Sequence, residues 1–181
     1  MFTLPNLLTY IRISLIPFVM ICLFSGDSFY SEKVSTFLFL IAALSDFFDG
    51  YLARQLNQSS ELGRFLDPIA DKLIVIGVFV ALLFTGRIYS VDLIPITLIF
   101  FREIFVSGLR EYLGNFGAKV PVSYVAKWKT TAQLVCIPFL MAVPVWSPFY
   151  DAGRILLWVA SLLTVYTGWD YFKIALRYMK R

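Results

Sequence analysis

The sequence predicts an all-α, polytopic membrane protein: six transmembrane helices with a polar cavity facing the cytoplasm. Three observations carry that prediction. Hydrophobic residues make up 59% and charged residues 15% of the 181 residues, against about 45–50% and about 25% in ordinary soluble domains. Six apolar segments, each roughly 20 to 27 residues long, are sufficient to cross about 30 Å of hydrocarbon at 1.5 Å per residue. The polar residues within these segments gather at ends that alternate along the chain.

Segment 5–25 has its polar part early, at Asn6, Thr9 and Arg12, and SGDSFYSE follows it. Segment 33–57 has it late, at Asp46, Asp49 and Arg54, before NQSS. In 60–85 it is early again, at Arg64, Asp67, Asp71 and Lys72, with GRIYS beyond. Segment 91–114 is polar late, at Arg102, Glu103, Arg110 and Glu111, and leads into NFGAKVP. Segment 122–145 is polar early, at Lys127, Lys129 and Gln133, and WSPFY separates it from 151–177, polar late at Asp170, Lys173 and Arg177. Consecutive spans run in opposite directions, so this alternation places every polar end on one side of the membrane. Of the sixteen Lys and Arg, only Lys33, Arg87 and Arg154 fall on the other side. That bias puts the polar side and both termini in the cytoplasm.

The whole of 1–181 reads as a single membrane-embedded domain, without repeats or a linker. A net charge of +4 is accounted for by the basic residues of one membrane face, so it does not call for nucleic acid. Cys22 and Cys136 are isolated in apolar runs, which supports neither a disulfide framework nor a thiolate metal site. The absence of histidine excludes His-based triads and the usual zinc sites. Residues 1 to 11 carry no basic n-region and Arg12 interrupts the first apolar run, so no removable signal peptide is expected.

At 100° per residue, Asp46, Asp49, Gly50 and Ala53 share an arc of about 100° on one helix. Gly63, Asp67 and Asp71 form a second stripe, and the short connection between the helices lets the two stripes face each other. The aspartates could be structural, as helix caps or as partners of Arg54, Arg64 and Lys72. A charge at the centre of a membrane helix costs about 2.5–3.5 kcal/mol on insertion scales, and four converging carboxylates repel one another unless something positive lies between them. Divalent metal held by oxygen ligands answers that problem, with Mg²⁺ or Mn²⁺ the ions suited to carboxylates and two ions suited to four of them. Gly50, Ala53 and Gly63 could serve helix packing. Sharing the carboxylate faces, they also leave room for a ligand. With Arg54, whose guanidinium suits bidentate phosphate contact, the set reads as a diphosphate site.

The spacing Asp46, Asp49-Gly50, Ala53-Arg54, Gly63, Asp67, Asp71 resembles, at all eight positions, the signature of the CDP-alcohol phosphatidyltransferases. The resemblance implies a six-helix membrane enzyme, usually a homodimer, that uses two divalent cations, Mg²⁺ or Mn²⁺, and displaces CMP from a CDP-linked lipid with an alcohol. It implies metal ligation by Asp46, Asp49, Asp67 and Asp71, with Asp71 also the general base. It places Asp49, Gly50, Ala53, Arg54 and Gly63 around the CDP-lipid. PNLLTYIR, FREIFVSGLREYLG and VPVSYVAKWKTTAQ resemble the members that transfer a phosphatidyl group from CDP-diacylglycerol to glycerol 3-phosphate, an activity of the bacterial inner membrane. Cations suited to that anionic acceptor are Arg102, Arg110, Lys127 and Lys129. The positive-inside bias alone would account for Arg110, Lys119 and Lys129. Arg102 lies deeper, although Glu103 beside it and a snorkelling side chain could make it structural. Lys72 lies off the aspartate stripe.

Other readings compete. Relatives that take serine, inositol phosphate or phosphatidylglycerol share the aspartate core, and a membrane prenyltransferase also presents Asp-rich helices to a metal-bound diphosphate. A divalent-cation transporter is the reading from another class. It would need carboxylates along a path through the bilayer, whereas the opposite halves of all six segments are nearly free of charge.

Overall fold

The computed structural model describes residues 4–25, 29–55, 61–115, 124–142 and 147–179, and within them the side chains other than those of 4–6, 8, 29, 46–55, 61, 64, 115 and 124. The described residues form six α-helices and one 3₁₀ turn, with no strand. The helices are α1 (Leu4–Phe24), α2 (Phe29–Gln55), α3 (Glu61–Phe84), α4 (Leu93–Asn115), α5 (Tyr124–Ala142) and α6 (Pro148–Met179); the 3₁₀ turn, Ser90–Asp92, leads into α4. The prediction of an all-α chain with six long helices holds, and each helix lies within a few residues of its expected segment.

The differences are at the ends. WSPFY reads as a linker in the sequence, but α6 begins inside it: the Ser147 hydroxyl accepts the Phe149 N–H at 3.3 Å, and Pro148 takes the first helical position, where its missing N–H costs nothing. At the end of α3, Gly86 adopts φ 70°. Its N–H bonds the Leu83 carbonyl at 3.2 Å while that of Arg87 reaches back to Leu82 at 3.0 Å. This is a Schellman stop, in which a side-chain-bearing residue would be strained at Gly86.

The chain divides into two compact units, one of residues 1–88 with 137–150 and one of 89–136 with 151–181. In the first, α1 packs along both α2 and α3, whereas among the described residues α2 and α3 meet only over a short stretch. Thr9, Arg12, Ile16, Val19 and Leu23 form the buried stripe of α1, and Ala70, Ile74, Val78 and Leu82 that of α3. These are the i, i+3, i+4, i+7 intervals of one helix face. Side chains of α1 lie against the α3 backbone at Gly77, where a Cβ would stand 3.3 Å from Ile16 Cγ2 and Met20 Sδ. Arg87, beyond the α3 cap, pairs with Glu32 of α2 and donates to the carbonyl of Met141 at 2.6 Å. Arg87 thus meets the last turn of α5, where a cation is favoured.

In the second unit the buried stripes are Ile99, Arg102, Val106, Leu109 and Leu113 on α4, and Leu157, Ala160, Thr164, Thr167, Tyr171 and Ala175 on α6. Asp92, 1% exposed, accepts from Arg154 Nε at 2.6 Å and from Trp158 Nε1 at 2.9 Å. Asp92→Ala removes three hydrogen bonds from a buried carboxylate and is therefore expected to destabilise the fold by about 2–3 kcal/mol, read as an earlier unfolding transition in detergent.

Large apolar side chains also face outward on every helix, among them Phe18, Phe37, Phe84, Phe101, Trp128 and Leu162. By length and composition α6 is long and apolar enough to cross a membrane; Thr9–Phe24 is a shorter apolar stretch. α3 carries its charged residues toward its start, whereas α2 has Glu32 and Lys33 near its start and Asp46, Asp49 and Arg54 near its end.

Candidate active site

Asp46, Asp49, Gly50, Ala53 and Arg54 lie on the last turns of α2, and their side chains fall outside the described residues. Gly63, Asp67 and Asp71 lie on α3 at intervals of four, so they occupy one face of that helix. Gly63 is buried, Asp67 half-buried and Asp71 exposed. Both carboxylates are held from α1, a helix the sequence did not suggest as their partner. The Thr9 hydroxyl donates to Asp67 Oδ1 at 2.7 Å, and Arg12 Nη1 donates to Asp71 Oδ1 at 2.8 Å. Thr9 and Arg12 are each 1% exposed, which makes the Arg12 pair a bond from a fully buried guanidinium to a carboxylate that reaches the surroundings.

The sequence places Arg12 in the polar part of the first segment and among the basic residues of the polar side, without assigning it a buried partner. A signal was present, because Thr9 and Arg12 fall on the same helical face as Ile16, Val19 and Leu23. Polar residues on an otherwise apolar stripe must find polar partners. Asp67 and Asp71 supply them.

Among the described residues no group of three or more metal-ligating side chains gathers. Asp67 and Asp71 are the described half of the four predicted ligands. They are hard oxygen donors one turn apart, and Asp71 is 49% exposed, so their chemistry fits a hard divalent cation.

The cations expected for the acceptor lie in the second unit. Arg102, on the buried stripe of α4, donates through Nη1 to Glu103 Oε1 at 3.3 Å and through Nη2 to the Thr167 hydroxyl at 3.0 Å. Lys129 of α5 is buried as well and pairs with the same Glu103 oxygen. Arg110 donates to the Tyr171 hydroxyl at 2.5 Å and lies over its ring with 4.8 Å to the centroid; Arg102 approaches the same ring at 5.7 Å. Three of the four predicted acceptor residues thus converge on Glu103 and Tyr171. Lys127 is exposed and, two residues from Lys129, lies about 200° around α5 from it. Lys119, Lys180 and Arg181 lie outside the described residues.

The sequence did not single out Thr167, Gly168 or Tyr171. A Cβ on Gly168 would stand 2.9 Å from Arg102 Cγ, a distance that requires a glycine there or a displaced arginine. The pattern that could have found them is again a polar set on a buried stripe, since Thr164, Thr167 and Tyr171 recur at intervals of three and four.

An all-helical chain with carboxylates one turn apart on a single helix face and a separate cluster of buried cations suits a protein that handles phosphorylated, metal-binding substrates. The chain belongs to the CDP-alcohol phosphatidyltransferase family, whose model matches residues 2–166. Within that family it is similar to proteins named CDP-diacylglycerol–glycerol-3-phosphate 3-phosphatidyltransferase. That of Rickettsia typhi is 44% identical over 97% of this chain and 98% of its own. The Salmonella typhimurium protein is 40% identical over 96% and 95%, and the Cereibacter sphaeroides protein 36% identical over 98% and 97%.

Proposed function

We propose that the chain transfers the phosphatidyl group of CDP-diacylglycerol to glycerol 3-phosphate, giving phosphatidylglycerophosphate and CMP, a step of phospholipid synthesis in a bacterial cell membrane. The observation that carries this reading is the near full-length similarity to proteins named for that reaction, together with all eight signature positions from Asp46 to Asp71.

The acceptor's 1-hydroxyl oxygen forms the new bond to the β-phosphorus of the CDP-lipid, and the bond from that phosphorus to the oxygen of CMP breaks. The hydroxyl proton passes to a carboxylate oxygen of Asp71, the group one α3 turn beyond Asp67. Arg12 fixes Asp71 by holding Oδ1 toward α1, and Thr9 fixes Asp67 in the same way. Asp46, Asp49, Asp67 and Asp71 would hold two divalent cations, Mg²⁺ or Mn²⁺. Such cations supply positive charge against a diphosphate when bound. Asp49, Gly50, Ala53, Arg54 and Gly63 accommodate the cytidine diphosphate; the small residues Gly50, Ala53 and Gly63 leave room for close approach, and Arg54 offers its guanidinium to the phosphate. Arg102, Arg110 and Lys129, which share Glu103 and Tyr171, receive the acceptor phosphate, and Lys127, exposed on another side of α5, draws the anion toward the polar end of that helix. The buried setting of Arg102 and Lys129 strengthens that attraction relative to water.

The whole chain acts as one domain with all six helices crossing the membrane and the polar ends and both termini on the cytoplasmic side. The apolar residues that face outward on every helix support lipid around them, and the bias of basic residues to one side supports the orientation. Acyl chains then stay in lipid while the nucleotide and glycerol 3-phosphate come from the cytosol. Two copies pair as a homodimer.

CMP release from CDP-diacylglycerol by the purified protein tests the reading against glycerol 3-phosphate, serine, inositol phosphate and phosphatidylglycerol, with Mg²⁺, Mn²⁺ or chelator. Release is expected with glycerol 3-phosphate and metal alone. Release with serine or inositol phosphate moves the acceptor within the family, and no release with any acceptor favours a transporter. Replacing Arg102 with Ala is expected to raise KM for glycerol 3-phosphate by about 10–100-fold; an unchanged KM removes it from the acceptor site.

A further inference from the structure

We propose that Glu103, Thr167 and Gly168 are positioning residues, which hold the Arg102 guanidinium in one conformation for the acceptor phosphate. The inference rests on the reading above that Arg102 binds that phosphate. An arginine side chain gives up rotamer freedom when fixed, and a phosphate that had to bear that cost would bind more weakly. In this fold the arginine is fixed beforehand. Glu103 takes Nη1 at 3.3 Å, and the Thr167 hydroxyl takes Nη2 at 3.0 Å. That hydroxyl donates to the Leu163 carbonyl at 2.9 Å, so its lone pair is turned toward Arg102. The aliphatic stem crosses the α6 backbone at Gly168, where a Cβ would meet Cγ at 2.9 Å, Nε at 3.7 Å and Cδ at 3.9 Å. A methyl group at 168 has no room unless the arginine stem moves.

Two further observations favour a ligand over a closed ion network. Arg102 is 9% exposed, yet among the described residues its Nε–H is buried with no hydrogen-bond partner. A guanidinium has five donors, and a purely structural network would be expected to use them more fully. Among the described residues of this cluster the charge also does not balance. Arg102 and Lys129 share the Glu103 carboxylate, and Arg110 adds a third cation across Tyr171. The surplus is opposite in sign and similar in size to the roughly −1.5 to −2 of a phosphate monoester at neutral pH.

The test compares KM for glycerol 3-phosphate with KM for CDP-diacylglycerol in the full-length purified protein, by CMP release. Gly168→Ala removes no polar group. It is expected to raise KM for glycerol 3-phosphate about tenfold while that for CDP-diacylglycerol stays within about twofold. Because it acts through Arg102, the double variant Arg102→Ala/Gly168→Ala should match Arg102→Ala alone. Glu103→Ala should give a similar rise, and Glu103→Gln, which keeps an acceptor oxygen, should recover most of it. Should Gly168→Ala fail to fold, the two Glu103 variants carry the test. An unchanged acceptor KM in Gly168→Ala, multiplied effects in the double variant, or equal rises for both substrates in the Glu103 variants overturn the positioning role while leaving Arg102 as an acceptor ligand. If Arg102→Ala itself leaves the acceptor KM unchanged, the acceptor reading falls and this inference falls with it.

Discussion

Asp71→Asn is expected to leave CDP-diacylglycerol bound and to stop its turnover. Asparagine keeps the size of the side chain and one oxygen for Arg12, but its amide does not accept a proton as a carboxylate does. General-base assistance is worth about 10²–10⁴-fold, so CMP release at saturating substrates should fall by about that factor while lipid affinity, measured by titration calorimetry, changes little. Loss of lipid binding would instead make Asp71 mainly a ligand for the diphosphate and its ions. Asp67→Asn is the companion experiment. Asp67 is assigned to metal alone, so its variant should lose both activity and the response to added Mg²⁺ or Mn²⁺.

Arg12→Ala should have an effect of comparable size from a residue that need not touch substrate. The guanidinium is 1% exposed and bonds Asp71. Its removal opens a void between α1 and α3 and leaves the carboxylate without this contact. Truncating a fully buried side chain of this size costs about 2–5 kcal/mol in lost packing, which should appear as a lowered unfolding midpoint in detergent and a severe loss of kcat in the fraction that folds. The double variant Arg12→Ala/Asp71→Asn decides what that loss means. Because both substitutions remove the same contact, it should be about as stable as Arg12→Ala and should regain no activity. A double variant that is destabilised by the sum of the two single effects would show that Arg12 supports the fold independently of Asp71.

The helices were legible because membrane-length apolar runs are long and their interruptions are charged or turn-forming. A helix end that escapes that pattern, Pro148, depends on the Ser147 cap, which an apolar-run reading passes over. The α3 stripe of Gly63, Asp67 and Asp71 was legible from spacing alone, since a helix at 100° per residue leaves no other arrangement. What spacing could not supply was the partner. Thr9 and Asp67 are 58 residues apart and Arg12 and Asp71 59, and no local rule relates residues so distant in the chain. Gly168 is a sharper case: its importance lies in what a Cβ would strike, the stem of Arg102, which becomes visible only once α4 and α6 are packed. Arg102 itself carried a usable signal. It shares the helical face of Ile99, Val106, Leu109 and Leu113, and a charge at a core position seeks a buried partner.

The distance in sequence between Arg12 and Asp71 has a consequence for how the chain is made. At roughly 5–20 residues per second, a ribosome needs about 3–12 s to add the stretch between them. Throughout that interval the newly emerged first helix holds a guanidinium that has not met its counter-ion. Its placement near the helix start lets it reach back to water until the third helix arrives. Pairing thus waits for the third helix, and the carboxylate that completes it is the one to which the proposed mechanism assigns the proton.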